Sequence, residues 1–183
     1  MGMKRKLLAT GKLIKFYASE NKDLVLHPGA SVIVPVMDDG RILMVKQRRF
    51  AIQKWSWEVP AGTLDAGEKP LTCAKRELEE ETGYKAGKIK KILAFYSSPG
   101  FLREKMHIYL ATSLHKGTQN LDEDEEIRVY PMKLSQILAL IRHSKVHDAK
   151  TIAAILFYKE FVKGKKQIRS TKFETKGKKQ EPS

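Results

Sequence analysis

The chain has 183 residues, 42% of them hydrophobic, with a single cysteine and a formal net charge of +14. This length suits one compact domain with a short appendage, and such a domain buries enough surface to fold without disulfides; the lone Cys73 excludes an internal one and fits a reducing compartment. No apolar run reaches the length of a membrane span, and Met1 to Thr10 lacks the apolar stretch and cleavage-like site of a signal peptide, so a cytoplasmic protein with no membrane partner is expected.

A basic excess of this size points towards polyanions such as RNA, DNA or phosphorylated ligands. Its distribution weakens that reading. From Lys163 to Ser183, eight Lys and Arg against two Glu give +6, leaving +8 on the rest of the chain. This tail is poor in apolar residues and rich in Lys, a composition that predicts disorder.

In chain order, Gly11 to Tyr17 and Leu24 to Leu26 read as short strands around the polar turn Asn21-Lys22-Asp23. Ala30 to Val36 is apolar and β-rich. Asp38-Asp39-Gly40 is a turn signal, and Ile42 to Gln47 is the returning strand. Trp55 to Val59 reads as a strand and Pro60 to Gly67 as a loop. Pro70 to Thr82 has the marks of a helix, with Pro in its first turn and Gly83 at the C-terminal cap. Ile89 to Ser97, Met106 to Ser113 and Arg128 to Met132 are further strands, and Lys116 to Glu126 is a polar, acidic loop. Leu134 to His143 and Ala149 to Val162 read as helices, the second with apolar residues at Ile152, Ile155, Leu156 and Phe161. Strands, a helix, strands and then helices predict an α+β or layered α/β/α domain rather than a regular βαβ array.

The most informative stretch is Arg76-Glu77-Leu78-Glu79-Glu80-Glu81. Its carboxylates fall in the last turns of the predicted helix, against the negative end of the helix dipole. Glu77, Glu80 and Glu81 stand at i, i+3 and i+4, so they share one side and repel one another. Leu71, Ala74 and Leu78 form a separate apolar stripe for anchoring to a core. A solvated, charged helix end is the plain explanation. The alternative is a bound divalent cation, which prefers oxygen ligands and offsets both penalties.

The surroundings favour the cation. Gly62 is followed after five residues by Glu68, after seven more by Arg76-Glu77-Leu78, then after one by Glu80-Glu81 and after one by Gly83. This pattern resembles the Nudix box at every charged and glycine position. Tyr84 takes the final place, where the family has an aliphatic residue. The resemblance implies a Nudix-type α/β/α sandwich with a mixed β-sheet and a loop-helix-loop motif holding Mg²⁺ or Mn²⁺ against a diphosphate. Carried over, Glu77 and Glu81 are metal ligands, Glu80 serves a further metal or its water, and the Ala61 carbonyl completes the set. Arg76 pairs with Glu68 and orients the acids. Gly62 and Gly83 allow turns that a Cβ would hinder.

Flanking residues bear on the substrate. Pro99, fifteen positions after Tyr84, lies in Ser97-Ser98-Pro99-Gly100-Phe101, a placement that resembles the ADP-ribose pyrophosphatase branch of the family. His27-Pro28-Gly29-Ala30, Gln47-Arg48-Arg49-Phe50 and Trp57-Glu58-Val59-Pro60-Ala61-Gly62 resemble it too. The branch implies a nucleoside diphosphate sugar as substrate. Within Asp122-Glu123-Asp124-Glu125-Glu126 it implies a catalytic glutamate, Glu123 by position and Glu125 second; by itself the run reads as a solvated loop. Arg49 resembles an arginine contacting the substrate phosphates, against a surface cation at a strand end. Glu58 is assigned to a ribose or metal-bound water, and Glu104 to the terminal ribose; each has a plain surface alternative. Trp55 and Trp57 stack on adenine or fill the core. Cys73 is a small buried residue on the box helix.

The branch also implies a homodimer whose N-terminal strands cross between subunits, with residues 1–28 as that element, 29–162 as the catalytic domain and 163–183 as the tail. Two other readings stand beside hydrolysis of ADP-ribose: preference for another nucleotide sugar such as GDP-mannose, and a non-catalytic nucleotide- or RNA-binding Nudix protein. The intact acids argue against the last, and nucleic acid is left open only by the basic tail.

Overall fold

A computed structural model describes residues 5–19, 21–121 and 125–163. Glu123, with its neighbours Asp122 and Asp124, and the segment 164–183 lie outside them. Among the described residues the strands are β1 (Lys6–Thr10), β2 (Lys15–Ser19), β3 (Lys22–Leu26), β4 (Ala30–Pro35), β5 (Ile42–Arg49), β6 (Lys54–Glu58), β7 (Ala61–Thr63), β8 (Tyr84–Ser98), β9 (Leu102–Lys116) and β10 (Ile127–Met132). The helices are α1 (Pro70–Thr82), α2 (Leu134–Arg142) and α3 (Ala149–Phe157), the last continuing as a π-helical turn over Tyr158–Lys163.

β4 organises the molecule. All six of its residues are buried, because the strand lies between β9 and β7 in a mixed sheet ordered β1-β2-β3-β9-β4-β7, with β8 also paired to β9. β9 runs parallel to both β3 and β4, and the remaining pairings are antiparallel. Successive side chains point to opposite faces of a strand, so a strand covered on both sides reads as a continuous apolar run. Val32 and Val34 accordingly pack with Ile42, Met44, Ile137 and Ile155 on one face. Ile33 packs with Ala74 and Leu78 of α1 on the other. A second sheet, β10-β5-β6, completes the layer with α2 and α3. This is the expected α/β/α sandwich with a mixed sheet.

Several boundaries differ from expectation. Gly11 to Ile14 forms a turn rather than the start of a strand, with the Gly11 N–H donating to the Ile14 carbonyl at 2.8 Å. The preceding β1 was not expected; it is exposed throughout, so no hydrophobic periodicity marks it. Within the predicted loop Pro60 to Gly67, Ala61–Thr63 pairs with β4 as an edge strand. β8 and β9 extend beyond their apolar stretches as a long hairpin, paired from Tyr84–Lys116 to Ser98–Leu102. Backbone pairing needs no buried side chain, so the polar ends remain in the ladder. Pro99 lies in the turn of that hairpin, where its fixed φ suits the corner.

α1 spans Pro70 to Thr82 as predicted, and Gly83 closes it at φ 70°, with its N–H donating to Glu79 O at 2.7 Å. The Ser31 hydroxyl donates to Pro70 O at 2.6 Å and pins the helix start to β4. Leu71 does not join the stripe. It is 42% exposed, and burial begins with Cys73 and Ala74. Its angular position matches Leu78, but the first turn lies beyond the cover of the sheet. Cys73 is fully buried. The predicted helix to Val162 is helical throughout, changing at Phe157 from α to the π turn; Ala154, Ile155 and Tyr158 are its core contacts, while Leu156 and Phe161 are exposed.

Candidate active site

Glu77 and Glu81 leave α1 one turn apart and point inwards, at 9% and 3% exposure. Helical spacing puts them on the side that carries Ala74 and Leu78, so packing of the apolar residues drags two carboxyls under the β7 loop. There Gly62 makes room. A Cβ at Gly62 would lie 1.9 Å from Glu77 Oε1, so no larger residue fits without moving the acid. The glycine serves close approach rather than the turn expected of it; its φ is not in the left-handed region. One residue earlier, the Ala61 N–H donates to Glu81 Oε2 at 3.0 Å.

Arg76 lies among the acids. It forks Glu68 through Nε at 3.1 Å and Nη2 at 3.0 Å, as the family resemblance implied. Its Nη1 also donates to Glu77 at 2.6 Å and to Glu80 at 2.9 Å, and Nη2 reaches the Thr63 carbonyl at 3.2 Å. One guanidinium thus joins the loop, the acid before the helix and two acids on it.

A single cation does not neutralise this many carboxylates. Burial pushes the Glu77 carboxyl up to about 7; Arg76 opposes this, and the charges of Glu80 and Glu125 add to it. Glu81 is driven well above the ordinary range by burial first and by Glu77 second, with the Ala61 N–H opposing and Glu125 reinforcing. Buried oxygens that resist ionisation, crowded over a glycine cradle, suit a hard divalent cation, which favours their charged form. Among the described residues no three His, Cys, Asp or Glu groups already converge as a ligand set. The Arg76 bonds to Glu77 and Glu80 hold the acids on the guanidinium.

The loop after β9 caps α1. The Asn120 N–H donates to Glu80 O at 3.0 Å and the Gln119 side chain to Glu81 O at 2.8 Å, occupying carbonyls that the helix end leaves without partners. Glu125 lines the same cleft of about 810 Å³ as Glu77, Glu80 and Arg76.

The same cleft also carries basic groups, Arg49 and Lys150. Arg49, at the end of β5, forks Glu58 of β6 through Nε at 2.8 Å and Nη2 at 2.6 Å. Glu58 is 3% exposed and also accepts from Lys150 at 2.5 Å. Burial alone would raise its carboxyl, but the Arg49 hydrogen bond and the charges of Lys150 and Arg49 outweigh it and hold it at about 2. Glu58 is therefore a buried, doubly paired carboxylate and not an exposed edge-strand group. Lys150 also bonds Asp148 at 2.8 Å, and both line the cleft. No spacing rule singled out Lys150 or Asp148. The available signal was Asp148 immediately before a helix, where it caps α3 by accepting from the Thr151 N–H at 3.0 Å.

Glu104 of β9 lines the cleft and lies 3.6 Å from His27 Nε2. Pro99 does not line it. It borders a separate groove of about 510 Å³ together with Tyr17, Tyr96 and Phe101. The two tryptophans also face elsewhere. Trp57 packs edge-on against Tyr130, with ring centroids 5.0 Å apart, and Lys46 lies over both indoles at 5.3 and 5.9 Å.

Buried acids cradled over a glycine on one helix of an α/β/α sandwich, with basic groups in the same cleft, point to one class: this is a Nudix hydrolase. The model of the NUDIX domain family matches residues 25–154, and the chain belongs to that family. It is 43% identical over 159 residues to an ADP-ribose pyrophosphatase of Bacillus subtilis (strain 168), covering 81% of this chain and 86% of the relative. It is 33% identical over 166 residues to a methanol dehydrogenase activator of Bacillus methanolicus, covering 85% and 90%. A crystal structure of an ADP compounds hydrolase superposes with a TM-score of 0.76 at 21% identity, covering 90% of this chain and 95% of the other, which shows the shared fold. Hydrolases of this family generally use divalent metal cations.

Proposed function

We propose that the protein hydrolyses ADP-ribose to AMP and a sugar phosphate, with Mg²⁺ as the working cation and Mn²⁺ as a substitute. The observation that carries this reading is the buried pair Glu77, seated over Gly62, and Glu81, bonded to the Ala61 N–H, beside a cleft that Glu77 and Arg49 both line. The 43% identity to an ADP-ribose pyrophosphatase supports the choice of substrate.

In this reading Glu77, Glu81 and the Ala61 carbonyl hold the cation, and Glu80 serves a second metal or a water. Bound there, a divalent cation neutralises diphosphate charge and polarises a phosphoryl oxygen. Arg76 orients the acids, and Arg49 attracts the diphosphate within the same cleft. Water adds to one phosphorus in line with the bridging oxygen, that P–O bond breaks, and the bridging oxygen leaves with the other phosphate. Glu125 takes the proton of the attacking water, a role that Glu123 shares as a candidate by its place in the sequence. Glu104 serves the terminal ribose from the cleft lining, while Glu58, buried against Arg49 and Lys150, acts through Arg49 rather than on the ribose. Pro99 shapes the hairpin turn beside the second groove. The protein acts in the cytoplasm as a homodimer built through its N-terminal strands; the exposed Leu7, Leu8, Leu13 and Ile14 supply apolar surface for that contact. Sedimentation of the full chain as a monomer at micromolar concentration would remove the dimer.

Product analysis tests the substrate. ADP-ribose, GDP-mannose and other nucleotide sugars are incubated with the protein and Mg²⁺, and the products are separated by chromatography. The expected result is AMP from ADP-ribose as the fastest reaction. Little turnover of ADP-ribose relative to the others would transfer the function to the preferred sugar.

A further inference from the structure

Two carboxylates, Glu58 and Asp148, stand beside Arg49, where a diphosphate ligand would meet repulsion. Lys150 lies between them. Its ammonium donates to Glu58 Oε2 at 2.5 Å and to Asp148 Oδ1 at 2.8 Å, at 14% exposure. Two further bonds set its place. Asp148 caps α3 at the Thr151 N–H, and the Thr151 hydroxyl accepts from the Val59 N–H at 2.9 Å, one residue beyond Glu58. The start of α3 is thereby tied to the end of β6, and the ammonium is fixed relative to the carboxylate it serves.

The charges in this group are Arg49 and Lys150 against Glu58 and Asp148, which balance. Without Lys150 the group carries one net negative charge, and the Arg49 guanidinium is the sole counter-charge of two acids. With it, Glu58 is shared, and Arg49 retains attraction for an anion. The Arg49 fork uses Nε and Nη2, and among the described residues Nη1 has no hydrogen-bond partner.

We propose that Lys150 is a positioning residue for the reaction, the second counter-charge that Glu58 and Asp148 share, so that Arg49 is not left as the sole cation of two acids and keeps attraction for the substrate diphosphate. The role presupposes that the cleft takes a nucleoside diphosphate. A diphosphate carries its charge in both the ground and transition states, so the contribution is to binding more than to turnover.

The test uses the full chain with Mg²⁺ and an ADP analogue whose bridging oxygen is replaced by methylene, so that binding is read by calorimetry without hydrolysis. Lys150→Met is expected to weaken binding by about tenfold, the scale of one uncompensated charge near the ligand in a partly wetted cleft. Lys150→Arg is expected to restore most of it. Asp148→Asn keeps the helix cap but removes a negative charge, so binding is expected to hold or tighten. A role in packing alone predicts binding preserved in Lys150→Met, whose side chain keeps the apolar stem. With ADP-ribose as substrate, Lys150→Met is expected to raise KM with a smaller change in kcat.

Equal binding by wild type and a folded Lys150→Met protein would overturn the proposal while leaving the function intact. So would a tenfold loss in Asp148→Asn, or failure of Lys150→Arg to rescue. Absence of any binding by the wild type would instead remove the diphosphate reading, and this role with it.

Discussion

Gly62 and Glu77 occupy each other's space: a methyl group on the Gly62 Cα would lie 1.9 Å from Glu77 Oε1 and 2.4 Å from Oε2. Neither residue is explained alone. The glycine exists for the carboxylate, and the carboxylate is held inwards by Arg76.

Gly62→Ala is therefore expected to displace Glu77 rather than to strain the backbone. Overpacking of this kind costs roughly 1–3 kcal/mol of stability. The larger effect falls on metal affinity, so the Mg²⁺ concentration for half-maximal hydrolysis should rise at least tenfold. Unchanged Mg²⁺ dependence would show that Glu77 is not a ligand.

Glu81→Gln separates stability from catalysis. The glutamine oxygen still accepts from the Ala61 N–H, and a buried group that resists ionisation is replaced by a neutral one. The metal-free variant should melt at the same or a higher temperature than wild type, while hydrolysis falls by roughly two to three orders of magnitude, as expected for loss of transition-state charge stabilisation. Survival of hydrolysis near the wild-type rate would remove the metal-ligand assignment.

The raised Glu77 carboxyl has a definite pH consequence. A folded-state value of about 7 against 4.5 means that the native protein binds this proton more tightly than the unfolded chain. Stability from this group is full below 4.5 and is lost as pH rises through 7. Glu81 adds in the same direction. Metal-free protein should lose thermal stability across that window, and the stabilisation by added Mg²⁺ should be larger at pH 8 than at pH 5.5. A Mg²⁺ shift independent of pH would contradict the placement of the cation on these acids.

Glu58 behaves in the opposite sense. Its carboxyl, held at about 2 against 4.5 when unfolded, stabilises the protein above 4.5, and the contribution is lost as pH falls towards 2. Arg49→Met leaves Glu58 with Lys150 alone. The expected loss is roughly 2–3 kcal/mol, less than for a wholly buried pair stripped of its partner, because one cation remains. Denaturant unfolding at pH 7 and pH 3 checks it: the gap between wild type and variant should narrow at the lower pH.

Much of this protein is local in origin. The spacing from Gly62 to Gly83 announced the acids, Pro70 and Gly83 bounded the helix, and Asp39-Gly40 marked the turn, because caps, turns and helical periodicity depend on residues a few positions apart. What escaped was non-local. β1 lacks a buried face, β7 is a strand only because β4 lies beside it, and Leu71 has the right helical angle but no cover. The Glu58 and Lys150 pair spans 92 positions, and no spacing rule reaches across that separation. The sequence by itself determined which acids would gather and on which helix. Only the tertiary structure decided that Gly62 is a cradle rather than a turn and that Lys150 bridges Glu58 and Asp148 beside Arg49, since each depends on which distant segments the core brings into contact.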